Sequence, residues 1–425
     1  MNIMRLLRFL KRLALPVLVF FYFLICFRVI SRMPLGIVNE LISIAFLLLN
    51  IGIAVVMSGK DLLAGKINYM FLILLPLIVY PFVNALQAQE VFGQPYLFGI
   101  LSQRHHYFLL GSYVVVYVLS KKILTREQLE SQFVVSMYII LAIMFIFWIF
   151  IPPALFSGTE FVKLSTHKGW VYKFPNGVTT GLLIYSFISI TKDNRYRHII
   201  TFLISAFYFI VYGQDRSQIA FVVFVCLMYA FFHLRTVKLV TYMVGGFLSV
   251  SLIVTLLVIA DPEFVDYYVE LFGNALTVIT GEHTTEDSTN IRYVESEIAM
   301  KGFEKHPVLG NGFLSSQWDE GYLQFYRYFY PADIGLLGNL YVYGIVGTLF
   351  YYIPFLAAFI WMFKLRKTRD TFLLTCMYTT IFIFLDMQIA ASNIKFIGIQ
   401  AFFFGVLYYY RFIYEKTEKG VLSGR

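Results

Sequence analysis

The sequence contains little charge and very little cysteine. Asp, Glu, Lys and Arg make up 14% of the 425 residues, whereas 59% are hydrophobic, so the composition is far from that of a soluble globular domain. Cys26, Cys226 and Cys376 all lie within apolar stretches, without metal-ligand spacing or the pattern of a disulfide framework. No cluster of histidines or carboxylates has ligand spacing either. We therefore expect no metal and no cofactor.

The net charge of +9 does not indicate a nucleic-acid-binding protein. The chain has no soluble basic domain and no nucleic-acid reading motif, so we expect no nucleic acid as a partner. Most of the 34 Lys and Arg residues fall in alternate short loops and at the two ends of the chain. By the positive-inside rule this pattern predicts that both termini are cytoplasmic.

What the chain does contain is a series of apolar segments of membrane length. Segments of roughly 20 apolar residues recur between Leu13 and Tyr410. They predict an all-α polytopic membrane protein with about 12 transmembrane helices in a lipid bilayer and one long external loop containing helices. Val91 to Gln103 is too short to cross the bilayer, and we expect it to be re-entrant or interfacial.

The alternation of loops divides the chain into three parts. Residues 1–260 are predicted to form a membrane bundle of spans 1 to 9, residues 261–332 an external loop with an amphipathic helix, and residues 333–425 a bundle of spans 10 to 12 with a cytoplasmic tail. Arg104, His106, Lys168, Lys173 and Arg216 fall on the same outer side as this loop. Cations collected on one side of a membrane suit an anionic substrate at the membrane surface.

The external loop contains a predicted helix from Thr289 to Lys305, preceded by Asp287-Ser288. Ile291, Val294 and Ile298 recur at helical spacing, and Pro307 marks the stop. Arg292 lies near its start, and His306 begins the exit loop. A functional interpretation makes Arg292 a ligand for an anion. The alternative is an amphipathic helix on the lipid surface, with Arg292 solvated or paired to a carboxylate such as Glu295, a contact that contributes little.

Two further polar residues lie where apolar segments begin on the outer side. Arg216, in Asp215-Arg216-Ser217, is a functional candidate because charge near hydrocarbon is costly, although a pair with Asp215 would also explain it. Asp333 precedes the apolar segment that starts at Ile334. It could act as a helix N-cap, or accept a proton from a sugar hydroxyl.

In this order and spacing the residues resemble the O-antigen polymerase and O-antigen ligase superfamily of bacterial envelopes. The resemblance covers roughly residues 212–347. It rests on Asp215-Arg216-Ser217, on Arg292 followed by His306-Pro307 and Gly310-x-Gly312-Phe313, and on Asp333 followed by Leu337 and Gly344-x-x-Gly347. The family implies transfer of a glycan from undecaprenyl pyrophosphate at the outer face of the bacterial cell (inner) membrane.

Roles for individual residues follow from the resemblance. The family's arginines engage the pyrophosphate and correspond here to Arg216 and Arg292, which fits the planar, permanently charged guanidinium. Ligases carry a catalytic histidine where this sequence has Asp333, so the resemblance favours a repeat-unit polymerase, as in the biosynthesis of O-antigen, capsule or exopolysaccharide, over a ligase. Asp333 and His306 both remain candidates for the general base.

Weaker candidates for binding the substrate also face outward by this topology. They are Arg104, His106, Lys168, Lys173, His306 and Arg327. The expected partner is an undecaprenyl-pyrophosphate-linked oligosaccharide, and the resemblance also suggests a chain-length regulator. A flippase for the same lipid is the alternative from another class, but a transporter should show related halves and midplane polar sites.

Overall fold

The computed structural model describes residues 16–27, 29–32, 37–159, 161–165, 169–174, 177–193, 195–210, 216–260, 287–326, 328–390 and 397–414. For Arg216 it describes the backbone alone. Lys168 and Arg327, two of the predicted cavity residues, lie outside the described residues.

Helices dominate the first half of the chain. They are α1 (Pro16–Cys26), α2 (Val29–Arg32), α3 (Ile37–Leu63), α4 (Tyr69–Phe92), α5 (Tyr96–Ser102), α6 (Gly111–Ser120), α7 (Arg126–Phe150), α8 (Gly177–Asp193) and α9 (Tyr196–Tyr208). Short 3₁₀ turns cover Arg104–Leu110 and Pro153–Phe156. An antiparallel hairpin, β1 (Val162–Ser165) and β2 (Gly169–Tyr172), lies between α7 and α8.

The second half continues the helical pattern. It consists of α10 (Arg216–His233), α11 (Thr236–Ala260), α12 (Asp287–Lys305), α13 (Gly335–Leu365), α14 (Thr371–Ile389) and α15 (Ile397–Tyr409), followed by a π-helical turn at Tyr410–Tyr414. Two 3₁₀ turns, Gly321–Gln324 and Pro331–Asp333, precede α13.

The all-α membrane fold is confirmed. Among the described residues, five helices are long and apolar enough to cross a bilayer, namely α3, α4, α7, α13 and α14, and α1 and α10 contribute shorter apolar segments. The predicted number of spans stays a prediction. The hairpin at 162–172 is a local addition that the hydropathy pattern did not indicate. Helix α5 occupies much of the segment Val91 to Gln103, which was predicted to be re-entrant or interfacial.

The short helix α15 is buried among other helices. Every residue from Ile397 to Leu407 is buried, and the helix contacts α6, α13 and α14. Phe402 stacks on Phe133 of α7 with ring centroids 5.7 Å apart, and both rings are completely buried. A helix that is apolar on all sides is expected in such a position, because no face has to meet water.

Helix α13 is broken at Gly344, where φ is 61° and ψ is −169°. Ordinary helical bonds would join the N–H groups of Ile345 and Val346 to the carbonyls of Tyr341 and Val342. Here the loop that follows α12 supplies the partners instead. The Ile345 and Val346 N–H groups donate to the carbonyls of residues 307 and 308 at 2.9 and 3.1 Å, and the N–H groups of residues 311 and 312 donate to Tyr341 and Val342 at 2.8 and 3.0 Å.

All four backbone groups freed by the break are therefore satisfied inside the protein. This is the condition under which irregular backbone is tolerated within a membrane protein. Gly310 faces Gly344 so closely that a Cβ on either residue would overlap the backbone of the other. The first glycines of the Gly-x-Gly and Gly-x-x-Gly motifs thus meet in one contact, whereas Gly312 packs against Ala88 and Gly347 against Tyr80.

Candidate active site

Helix α12 packs along α13 rather than lying alone on a lipid surface. Gly302 lies against the ring of Tyr341, and the Asn311 amide donates to the carbonyls of Gly302 and Tyr341 at 3.1 and 3.0 Å. The helix ends at Lys305 as predicted and begins at Asp287, two residues before the predicted start at Thr289. Val294, predicted to share the apolar face, is 51% exposed. Glu295 and Ala299 are buried in its place.

Glu295 is the buried carboxylate of this helix. Its side chain is 1% exposed, and Oε1 accepts a 2.8 Å hydrogen bond from the Tyr330 N–H. The alternative interpretation of the sequence made Glu295 a surface partner of Arg292. That interpretation was wrong, because the carboxylate instead fastens α12 to the Tyr330-Pro331 turn that leads into α13. No ion pair within 4.0 Å joins Arg292 to any described residue.

Arg292 and Asp333 lie close enough to Glu295 to change its proton affinity. Burial raises the pKa of the Glu295 carboxyl, the Tyr330 N–H lowers it, the charge of Asp333 raises it and that of Arg292 lowers it. Tyr328 experiences the same charges: burial raises its pKa, as do Glu295 and Asp333, whereas Arg292 lowers it. We call Arg292, Glu295 and Asp333 the α12–α13 charge cluster.

Asp333 ends a 3₁₀ turn and does not cap α13. The residue at the N-cap position is Ile334, and no side chain caps this helix. The capping interpretation of Asp333 was therefore wrong. Its half-buried carboxylate is left to interact with the charge cluster.

His306 lies at the other end of α12. Its carbonyl accepts a hydrogen bond from Gly310 N–H at 2.9 Å, which closes the turn entering the Gly344 break. At 1.5 Å per residue, it is about 20 Å along the helix from Arg292. The structure thus brings Asp333 to Arg292 and keeps His306 apart from both.

Two buried amides that were not singled out in the sequence fix the loop after this turn. Asn84 of α4 accepts from Phe313 N–H at 2.9 Å and donates to the Val342 carbonyl at 2.8 Å. Gln94 accepts from Ser315 N–H at 2.7 Å and donates to the Phe313 carbonyl at 3.0 Å. Both side chains are completely buried. The sequence signal for this role was an amide side chain within an apolar segment, because burying an amide without hydrogen-bond partners is costly.

A cavity of about 890 Å³ lies beside this loop. Its walls are the start of α3, the Arg104–Leu110 turn, the loop from Phe313 to Leu323, and the Tyr330–Ala332 turn with the start of α13. Tyr330 connects the cavity to the α12–α13 charge cluster. It lines the cavity, and its N–H donates to Glu295. Arg292, Asp333 and His306 do not line this cavity.

Arg104 does line the cavity, and its charge is compensated. Its Nη2 donates to both carboxylate oxygens of Glu40, at 2.6 and 2.8 Å, and its Nη1 donates to the Leu101 carbonyl at 2.8 Å. The arginine side chain is 26% exposed and the glutamate side chain 51%. His105 lines the same wall.

The other predicted cations are placed differently. His106 is buried between helices, where its Nε2 lies 3.0 and 3.4 Å from the hydroxyls of Tyr351 and Tyr343, so it packs within the bundle and does not line the cavity. Lys173 follows β2 and does not line the cavity either. In the described part of the chain, no three His, Cys, Asp or Glu side chains form a group able to hold a metal ion.

Residues 200–352 match the model of the O-antigen ligase family. The matched region runs from α9 into α13 and contains Arg216, Arg292, His306, Asp333 and the Gly344 break. The match confirms the resemblance to the O-antigen ligase and polymerase superfamily over this part of the chain, and the apolar helices are those of a multi-pass membrane protein. Glu40 and Arg104 lie outside the match. The comparison with curated proteins found no match.

Proposed function

We propose that the protein is a polysaccharide repeat-unit polymerase acting at the outer face of the cell membrane. The growing glycan on undecaprenyl pyrophosphate is transferred to a hydroxyl on the non-reducing sugar of an incoming lipid-linked repeat unit. The observation that carries this proposal is the α12–α13 charge cluster. It joins a guanidinium and a carboxylate from separate parts of the family domain at one place.

In this reaction the acceptor oxygen forms a bond to the anomeric carbon of the donor glycan. The bond from that carbon to the pyrophosphate oxygen breaks, its electron pair leaves with undecaprenyl pyrophosphate, and the hydroxyl proton passes to a base. Arg292, with Arg216, stabilises the charge that grows on the leaving group. Asp333 accepts the proton or orients the hydroxyl; arginine cannot accept it, because it does not lose its own.

Two observations favour a polymerase over its alternatives. A ligase resembling this family has a histidine where this chain has Asp333, and His306 lies about 20 Å from Arg292 along α12. A flippase would suit a discontinuous helix whose open ends bind substrate. In α13 the backbone groups freed by the break bind the 307–312 loop instead, and thus are not available to a cargo.

The test is elongation by purified protein in liposomes supplied with lipid-linked repeat units. We expect longer glycans together with free undecaprenyl pyrophosphate, and a loss of roughly a hundredfold or more in rate for Arg292→Ala and for Arg216→Ala. Lys305→Ala is the matched control, since Lys305 is an exposed cation at the far end of α12. Asp333→Asn should reduce the rate while preserving protein abundance.

Two outcomes would overturn the proposed reaction, and two more would remove a residue from its mechanism. Movement of the lipid across the bilayer without lengthening of the glycan would indicate a flippase. Transfer of the glycan to an acceptor other than a lipid-linked repeat unit would indicate a ligase. Equal activity of Arg292→Ala and Lys305→Ala would remove Arg292 from the mechanism, and near-normal growth with Asp333→Asn would remove Asp333 as the base.

A further inference from the structure

The charges lining the cavity differ from those of the α12–α13 charge cluster. Among the described lining residues, Glu40, Arg104 and Glu320 carry formal charges. Because Arg104 is bound by both oxygens of Glu40, its charge is compensated, and Glu320 leaves the lining with an excess of negative charge. A pyrophosphate would lose hydration here without meeting an uncompensated cation, which is unfavourable.

The Glu40–Arg104 pair retains capacity for hydrogen bonds. A guanidinium has five N–H donors, and the bonds to Glu40 and to the Leu101 carbonyl do not use all of them. The half-exposed carboxylate of Glu40 also has lone pairs beyond those that face Arg104. A hydroxyl both donates and accepts, so a ligand with neighbouring hydroxyls satisfies both members of the pair.

The remaining lining fits the same type of ligand. Ser43, Ser102 and Gln317 add hydroxyl and amide groups, while the rings of Phe108 and Tyr330 provide apolar faces. Such a mixture of flat apolar surface and a few directed polar groups is typical of small-molecule sites, and 890 Å³ lies within the range of roughly 300–1,000 Å³ seen for them.

We propose that this cavity binds the uncharged terminal sugars of the acceptor glycan, with Glu40 and Arg104 recognising their hydroxyls. This inference rests on the proposed polymerase function and assigns the acceptor's sugars and the donor's pyrophosphate to separate places. The cavity wall at Tyr330 is bonded to Glu295 of the charge cluster, so an acceptor sugar held in the cavity lies next to the group that activates the donor.

The probe is the oligosaccharide released by mild acid from the cell's own lipid-linked repeat units, which lacks both pyrophosphate and lipid. Its binding to the full-length protein in nanodiscs is measured directly by saturation-transfer NMR and by titration. Glu40→Gln should weaken binding about tenfold, as expected for one lost charge-assisted hydrogen bond. Glu90→Gln, an exposed carboxylate of α4 outside the cavity, should bind as the wild type does.

The same variants are then assayed for elongation. Glu40→Gln should raise the KM for the repeat unit about tenfold and change kcat less than about twofold, since the hydroxyl contacts are equally present in the bound and transition states. Ser316→Trp provides a second variant, because it fills the cavity from an exposed lining position without disturbing the ion pair. It should also abolish oligosaccharide binding.

Unchanged oligosaccharide binding in both Glu40→Gln and Ser316→Trp would overturn the cavity assignment, even if the wild type elongates glycans normally. Absence of elongation by the wild type, together with oligosaccharide binding that depends on Glu40, would instead reject the polymerase reaction and keep the sugar site. A decrease in kcat alone for Glu40→Gln would contradict a role in recognising the acceptor.

Discussion

Arg104 and Arg292 illustrate two uses of the same side chain in one molecule. Arg104 is held by Glu40 and a backbone carbonyl, so its charge is largely neutralised and its donors are fixed in direction. Arg292 is exposed on α12 and makes no ion pair with the described residues, and the nearby Glu295 is a buried carboxyl whose pKa is raised. A guanidinium held by a carboxylate suits uncharged hydroxyls, whereas a guanidinium with no described carboxylate within 4.0 Å keeps its donors for a diphosphate.

The largest expected effect comes from breaking the contact between the Gly344 break in α13 and the 307–312 loop. Gly344→Ala should prevent folding, because the conformation at Gly344 is one that residues other than glycine adopt at a cost of roughly 1–3 kcal/mol and the new Cβ would overlap the backbone of Gly310. We expect loss of the monodisperse peak in size-exclusion chromatography. Gly52→Ala is the control, since open space surrounds Gly52. A melting temperature close to that of the wild type for Gly344→Ala would contradict the paired-loop description of α13.

A second prediction separates the two arginines by their affinity for an anion. Arg292→Ala should weaken the binding of inorganic pyrophosphate about tenfold or more, because it removes charge-assisted hydrogen bonds. Arg104→Ala should change that affinity by less than about twofold, since its charge is already matched by Glu40. Calorimetric titration in nanodiscs measures both. A larger loss for Arg104→Ala than for Arg292→Ala would reverse the assignment of the two regions.

The smallest expected effect concerns the protonation of Glu295. A carboxyl whose pKa is raised on folding gives stability that is fully present below its ordinary pKa of 4.5 and is lost as the pH rises through the folded value. Glu295→Gln keeps an acceptor for Tyr330 N–H but removes the titration. Its melting temperature relative to the wild type should therefore increase as the pH rises above 4.5.

Two matched variants complete this test. Glu295→Ala leaves the Tyr330 N–H without its partner and should destabilise the protein by roughly 1–3 kcal/mol. Glu297→Ala removes an exposed pair with Lys301, in which Oε1 and Nζ lie 2.8 Å apart, and should cost about 0.5 kcal/mol or less. If the difference between Glu295→Gln and the wild type did not vary with pH, the pKa of Glu295 would be the same in the folded and unfolded protein, which would contradict a carboxyl whose pKa is raised by burial.

Much of the site could be predicted because its residues follow one another in a recognisable order. The end of α12 at Lys305, the membrane class and the resemblance to the O-antigen ligase and polymerase superfamily were all predicted from local patterns and motif spacing. The role of Glu295 could not be, because a single glutamate on a polar helix resembles a solvated residue until Tyr330 is placed against it. Likewise, the capping prediction for Asp333 followed from its position before an apolar segment and failed because the helix starts after a 3₁₀ turn.

Hydropathy by itself determined that this is a helical membrane protein, since the cost of burying charge in lipid acts on each segment separately. The distribution of Lys and Arg among the loops predicts which side of the membrane the polar segments face. Tertiary structure decided which cations share a site. The charges of Arg292 and Asp333 both act on Glu295, because α12 packs along α13 and its exit loop fills the Gly344 break. Arg104 is neutralised by a glutamate 64 positions away. Such pairings depend on helix packing, which no spacing along the chain encodes.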